Sequence, residues 1–173
     1  MRKGVKKLKF EKVSLEAFMK NLKGCGIKEG YLTAYSNIKI PERKTKFSSG
    51  YDFVTPVDFD LNPGQRITIP TGIKCYFSEE EAKRYHLQLH VRSSVGIRKG
   101  IVLSNSTGII DGDYYNSEET EGDMLIALWN TGTEYIHFSA GDRIIQGIFV
   151  PHGLVADDHT EALRVGGVGS TDE

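Results

Sequence analysis

Short runs that alternate apolar and polar residues fill most of this chain of 173 residues. In HLQLHV (residues 86–91) every second residue is apolar, and VDFDL (57–61) repeats the pattern. Such a period of two is typical of half-buried β-strands. Further runs read as strands, namely RITI (66–69), GIVL (100–103), MLIALW (124–129), YIHF (135–138) and RIIQGIFV (143–150). Turn signals such as NPG, NTG and AGD separate them, so the sequence predicts an antiparallel sandwich or barrel.

One helix is predicted, near the start of the chain. Ser14 can cap LEAFMKNL (15–22), Glu16 lies in the first turn, and Gly24 can end the helix. A second segment, SEEEAKRY (78–85), predicts at most a helical turn. All-β with one short N-terminal helix is therefore the expected fold class.

Charge is distributed unevenly along the chain. The net charge is −1, yet residues 1–30 hold nine Lys/Arg against three Glu, which leaves about −7 on the remainder. The basic end lacks interleaved aromatic residues, so we expect a solvated arm. An acidic core would repel a phosphate backbone, so no nucleic-acid partner is expected.

Composition indicates a soluble protein of one domain. Apolar residues make up 39% and charged residues 26% of the chain, and no apolar run approaches the length of a membrane span. Cys25 and Cys75 are far apart and form no CxxC motif, which fits a reducing compartment. We therefore expect a cytoplasmic protein with no membrane partner. The expected division is an extension with a short helix (1–30), a β core (31–155) and a C-terminal arm (156–173).

Four segments place polar or charged residues beside glycine at the end of an apolar strand. They are SSGYDF (48–53), HVRSSVG (90–96), SNSTGIIDGDYYN (104–116) and AGDRIIQGIF (140–149). Each one alone could mark a turn, and TGIIDGDYY could equally hold Asp111 at the mouth of a pocket. The guanidinium of Arg92, with the hydroxyls of Ser93 and Ser94, suits phosphate oxygens. Gln146 is either a satisfied core amide or a site residue.

The chain ends in RVGGVGSTDE (164–173), which loses the alternation of the strands. Termini are commonly frayed, and this is one interpretation. The other is a glycine-rich arm whose backbone N–H groups and hydroxyls wrap phosphate oxygens.

Taken in order, GYD, RSS, GIIDGDY, GDRIIQ and RVGGVGST resemble the five motifs of the trimeric deoxyuridine triphosphate nucleotidohydrolases (dUTPases). The resemblance runs from about Lys39 to the C-terminus and leaves residues 1–30 outside. It implies a jelly-roll-like, distorted β-barrel with a flexible C-terminal arm, assembled as a homotrimer with active sites between subunits. The implied reaction is hydrolysis of dUTP to dUMP and pyrophosphate, with Mg²⁺ held chiefly by the triphosphate.

The resemblance also implies roles for individual residues. Asp111 would orient and deprotonate the attacking water, and Tyr114 would stack under the deoxyribose and exclude a 2′-hydroxyl. Asp52 would either lie near the metal without binding it or have a structural role, and Asp113 and Arg143 would be structural. The other implied substrate contacts are Arg92, Ser93, Ser94 and Gln146 for phosphates and water, Asn105, Gly108, Ile109, Ile110 and Leu125 for uracil, and Arg164, Gly167, Val168, Gly169 and Ser170 in the arm.

Two departures from the family pattern stand out. Val168 occupies the position of the phenylalanine that usually covers the uracil ring, which removes a stacking contact worth about 1 kcal/mol. Arg164 stands one residue nearer to the glycines than is usual, so its phosphate role stays open. In addition, an acidic insertion at residues 117–122 lengthens the hairpin, and we expect it to be a solvated extension.

Two alternative functions remain. A deoxycytidine triphosphate deaminase, or a bifunctional deaminase-diphosphatase, shares the fold and the RSS segment, but its proton-shuttling glutamate is matched here by Ala127. A non-catalytic, nucleotide-sensing regulatory protein could use the same scaffold. The presence of Asp111 favours the enzyme over the regulator.

Overall fold

The alternating runs form antiparallel strands in a computed structural model that describes residues 7–160 and residue 162. Every strand predicted from the alternation is present, with ends shifted by one or two residues. The strands of this part of the chain are β1 (Leu8–Lys12), β2 (Tyr51–Val54), β3 (Phe59–Leu61), β4 (Arg66–Pro70), β5 (Ile73–Phe77), β6 (Tyr85–Val91), β7 (Ile101–Leu103), β8 (Gly108–Ile110), β9 (Leu125–Asn130), β10 (Ile136–Phe138) and β11 (Arg143–Pro151). The all-β prediction is confirmed.

The strands lie in four small sheets within the described part of the chain, rather than in one closed barrel. The largest has the order β2-β11-β6-β8, and a second has the order β4-β9-β7. Two-stranded pairs join β1 to β5 and β10 to β3. All of these pairs are antiparallel. The four-stranded sheet carries Asp52, Gln146, Gly108, Ile109 and Ile110 of the predicted site residues.

The predicted N-terminal helix, α1, spans Leu15–Gly24. The Ser14 side chain caps it by accepting a hydrogen bond from the backbone N–H of Ala17 at 3.2 Å. Phe18 and Leu22 project from one face and are fully buried. The helix prediction is confirmed, and its apolar face belongs to the core.

The expectation of a solvated N-terminal arm is wrong for residues 8–24. Strand β1 pairs with β5 along its whole length, from Leu8 opposite Phe77 to Lys12 opposite Ile73. The lysines of this strand occupy its exposed positions, so a basic segment can still form a strand. Residues from β1 to α1 therefore form part of the folded domain, while the proposed domain boundaries stay a prediction.

Three further helices complete this part of the chain: α2 (Tyr31–Asn37), α3 (Glu79–Ala82) and α4 (Ser93–Lys99). Helix α3 confirms the predicted helical turn, and α2 and α4 were not predicted. Among the residues described, no helix has the length and apolar content needed to cross a membrane.

A single apolar cluster lies between the sheets and α1. Its largest fully buried side chains include Phe53 from β2, Leu87 from β6 and Phe138 from β10. Each fully buried side chain of this size contributes about 1.5–3 kcal/mol of transfer free energy. This packing fixes the four-stranded sheet on which the site is built.

Candidate functional site

Five residues singled out in the sequence line one cavity of about 620 Å³. They are Asp52, Arg92, Ser93, Ser94 and Gln146. They come from three segments that are far apart in the sequence, so the folding of the sheet brings these segments together. The structure thus joins three of the motif segments at one place.

Strand register explains how these segments meet. Gln146 in β11 lies opposite Asp52 of β2 on one side and opposite His90 of β6 on the other. Strand β6 ends at Val91, Arg92 follows, and α4 begins with Ser93. The backbone N–H of Arg92 donates to Ile144 O at 3.1 Å, which ties this turn to β11.

The Asp52 carboxylate holds two arginines beside the cavity. One oxygen lies 3.0 Å from Arg92 Nε, and the other lies 3.0 Å from Arg143 Nη1. The Asp52 side chain is only 11% exposed, whereas that of Arg143 is 42% exposed. Charge-assisted pairs of this kind fix the direction of a guanidinium fork. Arg92 is thereby oriented at the cavity wall.

The backbone of Gly50 lies against the Gln146 side chain, so a larger residue at position 50 would make that side chain shift. A Cβ atom at Gly50 would lie 2.5 Å from Gln146 Oε1, which is closer than any ordinary contact. The Gln146 side chain therefore packs directly against backbone at the cavity, and the SSGYD motif has a steric reason for its glycine.

Two cations of the cavity were missed by the sequence reasoning. Lys44 and Arg98 line it together with Arg92, against one carboxylate, Asp52. Lys44 sits in the lysine-rich stretch ERKTK, and Arg98 lies in α4, which was not predicted as a helix. No residue pattern distinguishes them from solvated surface charges. The cavity carries an excess of positive charge and suits an anion.

A second group of predicted site residues lies on the β7–β8–β9 side. Strand β8 pairs with β6 through Leu87–Leu89, at the edge of the sheet. Ile109 is 50% exposed and Ile110 is buried. Asn105 lies in the turn that precedes β8, and Leu125 begins β9.

Asp111 follows β8 and precedes a short 3₁₀ helix, Gly112–Tyr114. The backbone of Asp111 is extended, with φ −84° and ψ 161°. A Cβ atom at Gly112 would lie 2.5 Å from Ala82 Cβ of α3, so the 3₁₀ helix packs closely on α3. The helical turn predicted at 78–85 therefore supports the segment that carries Asp111.

The hydroxyl of Tyr114 is held inside the protein. It donates to the backbone carbonyl of Asp123 at 2.8 Å and lies 2.9 Å from Thr120 Oγ1. Both partners belong to the segment that follows the 3₁₀ helix. The end of the Tyr114 ring that carries the hydroxyl is therefore anchored by this segment.

The acidic insertion at residues 117–122 is not a solvated extension, and that expectation is wrong. Ser117 and Thr120 are buried. Glu121 accepts hydrogen bonds from Lys74 Nζ at 2.6 Å and from the backbone N–H of Ser14 at 3.1 Å. Burial alone would raise the pKa of Glu121, but these hydrogen bonds outweigh it and hold the pKa below its ordinary value.

The two groups of site residues lie at opposite ends of β6 in one chain. Ile110, just before Asp111, is opposite Leu87, whereas Arg92 follows the far end of the strand. Leu87 and Arg92 are five residues apart along the extended chain, a distance of about 17 Å. Arg164, Gly167, Val168, Gly169 and Ser170 lie outside the described residues. A single chain therefore does not bring Asp111 and Arg92 together.

An antiparallel β fold with a cationic cavity is typical of a protein that binds an anionic ligand. A family model described as dUTPase matches residues 36–171 of this chain. The chain therefore belongs to the dUTPase family.

Individual relatives agree with this assignment. The deoxyuridine 5′-triphosphate nucleotidohydrolase of Lactococcus lactis is 41% identical over 145 residues, covering 81% of this chain and 93% of that protein. The Haemophilus influenzae protein of the same name is 36% identical over 114 residues, covering 65% of this chain and 70% of its own length.

Solved structures give the same result for the fold. The dUTPase crystal structure from Streptococcus mutans matches with a TM-score of 0.62 and 36% identity, covering 71% of this chain and 91% of that one. The dUTPase from phage phi11 of S. aureus has a TM-score of 0.62 at 20% identity, covering 90% and 97% of the two chains. The second match supports the fold alone.

Proposed function

We propose that this protein hydrolyses dUTP to dUMP and pyrophosphate, which limits uracil incorporation into DNA and supplies dUMP. The observation that carries the proposal is the cationic cavity formed by three distant motif segments in a chain of the dUTPase family. We place the protein in the cytoplasm, where nucleotide pools are found. The proposed reaction class is phosphoryl transfer to water.

The phosphate chain of the substrate would lie in the cavity. Arg92 offers two or more donors in a fixed fork, and its Nε is oriented by Asp52 at 3.0 Å. Ser93 and Ser94 add hydroxyl donors, and Gln146 would contact phosphate or the attacking water. Charge stabilisation and positioning supply most of the catalysis in reactions of this type.

Asp111 would be the general base. Its carboxylate would accept a proton from water while the water oxygen forms a bond to the α-phosphorus. The bond from the α-phosphorus to the bridging oxygen then breaks, and pyrophosphate leaves. A base of this kind needs only to lie within hydrogen-bond reach of the water and contributes about 10²–10⁴-fold to the rate.

The nucleoside would be read by the β8 hairpin. Asn105 and the backbone of Gly108, Ile109, Ile110 and Leu125 would bind uracil, and a tight wall there would exclude the thymine methyl. The Tyr114 ring would stack under the deoxyribose and leave no room for a 2′-hydroxyl. The contacts of its hydroxyl support this role because they fix the position of the far end of the ring.

Magnesium would be held chiefly by the triphosphate. Among the described residues, no group of three or more His, Cys, Asp or Glu could hold a metal ion. Both oxygens of Asp52 are paired with arginines, which favours the structural alternative for this residue. When bound, Mg²⁺ neutralises phosphate charge and orients the triphosphate. A structural Mg(II) ion is coordinated in a mutant of the dUTPase from phage phi11 of S. aureus.

A homotrimer with shared active sites would solve the separation along β6. One subunit would supply the phosphate cavity, a neighbour the Asp111 hairpin, and a third the C-terminal arm with Arg164, Gly167, Val168, Gly169 and Ser170. The distance of about 17 Å between Leu87, which pairs with Ile110 beside Asp111, and Arg92 supports sharing, because one chain alone leaves Asp111 far from Arg92.

Product analysis of the purified protein tests this function. The protein, with Mg²⁺, is given dUTP, dCTP, dTTP or UTP in separate reactions. We expect pyrophosphate and dUMP from dUTP alone. Formation of dUTP or dUMP from dCTP would instead indicate a deaminase and overturn the argument from Ala127, which lies in β9 opposite Thr68. Tight dUTP binding without turnover would favour the regulatory alternative.

A further inference from the structure

Two segments outside the dUTPase motifs pack against each other behind Tyr114. One is α1, which precedes the first residue matched by the family model, residue 36. The other is the insertion at residues 117–122. Lys20 Nζ of α1 donates to Glu119 O at 2.8 Å, and Ser14 donates to Glu121. The contact is therefore polar and extends along the helix.

Asn21 is the buried member of this contact. Asn21 is only 7% exposed. Its Nδ2 donates to Thr120 O at 3.2 Å and to Asp123 Oδ2 at 3.0 Å. One amide thus uses both of its N–H groups on two residues of the same segment. Buried N–H groups form hydrogen bonds in this way because a buried donor without an acceptor costs free energy of folding.

Asp123 is fully buried, with 0% exposure. Its second oxygen, Oδ1, accepts from the backbone N–H of Gly72 at 2.8 Å and lies 3.3 Å from Thr71 Oγ1. A buried carboxylate is tolerated only when its oxygens are hydrogen-bonded. The side chain of Asp123 therefore has one geometry, set by α1 on one side and by the β4–β5 turn on the other.

Tyr114 contacts both residues that Asn21 binds. Its hydroxyl donates to Asp123 O at 2.8 Å and lies 2.9 Å from Thr120 Oγ1. Ser117 Oγ lies 3.1 Å from the same Thr120 oxygen. Only one residue separates the Asn21 amide from the Tyr114 hydroxyl along each route. Asn21 and Tyr114 are therefore linked through Thr120 and Asp123.

We infer that Asn21 is a positioning residue for Tyr114, acting through Asp123 and Thr120, and that α1 thereby sets the selectivity for deoxyribose. The inference rests on the proposed contact between Tyr114 and the sugar of dUTP. The inference gives a role to both segments that lie outside the family pattern. Together, α1 and the insertion hold the Tyr114 ring that contacts the sugar.

The test compares Asn21→Leu with Asn37→Leu. Leucine has a similar size to asparagine but no donors, and Asn37 is a matched control because its Nδ2 makes one bond, to Pro56 O at 3.2 Å in another part of the fold. We expect Asn21→Leu to raise KM for dUTP and to lower the ratio of kcat/KM for dUTP over UTP by about 10-fold or more. Asn37→Leu should leave this ratio at the wild-type value.

A double-mutant cycle separates positioning from a general loss of structure. Tyr114→Phe removes the hydroxyl through which Asn21 acts, so Asn21→Leu should have a much smaller effect on the ratio in that background. An Asn21→Leu protein that melts earlier but keeps the wild-type dUTP/UTP ratio would overturn the inference. Should Asn21→Leu fail to fold, Thr120→Val replaces it, and an unchanged ratio in that variant would overturn the inference equally.

A measurement independent of turnover distinguishes this inference from the proposed function. Protein labelled with ¹³C at tyrosine Cζ is compared by NMR, with the Tyr114 signal assigned from Tyr114→Phe. We expect Asn21→Leu to shift the Tyr114 signal and Asn37→Leu to leave it in place; an unshifted signal overturns the inference. If wild-type protein releases no dUMP from dUTP while the Tyr114 signal still shifts, the proposed function has failed and the link from Asn21 to Tyr114 stands.

Discussion

The carboxylate of Asp52 lies 3.0 Å from Nε of Arg92, and this pair joins strand β2 to the residue that follows β6. The same carboxylate holds Arg143 with its other oxygen at 3.0 Å. One aspartate thus fixes two guanidinium groups at the edge of the cationic cavity. The motif aspartate of the first segment organises the arginine of the second.

Asp52→Asn should weaken substrate binding and lower stability. The amide cannot neutralise two guanidinium groups, and because these groups are 26% and 42% exposed the loss should be about 1–2 kcal/mol, less than for a fully buried pair. We expect kcat/KM for dUTP to fall about 10-fold, mainly through KM, because Arg92 loses its orientation. Steady-state kinetics and thermal melting check both effects.

Asp60→Asn makes the same charge change at an exposed position and should leave KM unchanged. Equal effects from both variants would contradict the role given to Asp52.

Asp111→Asn should abolish turnover and preserve binding. The amide keeps the shape of the side chain but cannot accept the proton of the attacking water, so kcat should fall by about 10²–10⁴-fold. Calorimetry with dUTP should give an affinity close to that of the wild type. Asp113→Asn, two residues along the same segment, is the control and should retain turnover. Near-normal kcat in Asp111→Asn would remove this residue as the base.

Gly112→Ala should displace the Asp111 segment. The new Cβ would lie 2.5 Å from Ala82 Cβ, so either α3 or the 3₁₀ helix must shift, at a cost of about 1–3 kcal/mol. We expect lower thermal stability and a loss of kcat. The compensating change Ala82→Gly should restore part of both in the double variant, whereas Gly153→Ala, where no atom lies within 4 Å of the new Cβ, should have no effect. Absence of rescue would argue against this contact as the cause.

Mixing two inactive variants should restore activity if the site is shared. Arg92→Ala removes the phosphate fork from one cavity, and Asp111→Asn removes the base from one hairpin. In trimers assembled from equal amounts of both, roughly a quarter of the sites would receive both intact residues from different chains. Native mass spectrometry confirms that mixed trimers have formed. Mixed trimers with no gain in dUTP turnover would show that Asp111 and Arg92 do not come from neighbouring chains.

The alternation of apolar residues predicted most of the strands because it reports directly on which face is buried. It missed β1 because the lysines of LKFEK resemble a solvated basic segment, and only the partner strand β5 reveals the pairing. Helix α2 was missed because its N-terminal cap is Gly30 at φ +73°, with no side-chain cap to read. Helix α4 was missed because Gly96 and Gly100 in SSVGIRKG indicate a turn.

The site residues that belong to short sequence motifs could be predicted from the sequence. Asp52, Arg92 and Gln146 were singled out from short patterns, and the sheet register brings them together as those patterns require. Contacts between distant positions carry no such signal. The hydrogen bond from Asn21 to Asp123 joins residues separated by 102 positions, so neither residue suggests the other. Asn21 was expected in a helix of the N-terminal extension, and Asp123 follows the insertion at 117–122 that was expected to be solvated, so no contact between them was predicted.

Asp123 should make the protein less stable as pH rises through the acidic range. Burial raises the pKa of Asp123 from 3.8 to about 6, and hydrogen bonds from Asn21, Gly72 and Thr71 only partly oppose it. Between these two values the folded chain holds a proton that the unfolded chain has released, so the free energy of unfolding falls as pH increases. The stabilisation is complete below the unfolded pKa and is lost through the folded pKa, a change of about 3 kcal/mol in total.

Urea unfolding of wild type and Asp123→Asn from about pH 4 to about pH 7 isolates this contribution, because asparagine does not titrate. The wild-type free energy of unfolding minus that of the variant should fall steadily over this range. Asp60→Asn provides the control, since hydrogen bonds from Tyr135 and His137 lower the pKa of Asp60 from 3.8, so its contribution changes only below that pH and the corresponding difference should stay nearly constant over the same range. A difference for Asp123→Asn that is flat with pH would mean that the carboxylate ionises equally in both states, and the buried link between α1 and Tyr114 would then lack its expected electrostatic signature.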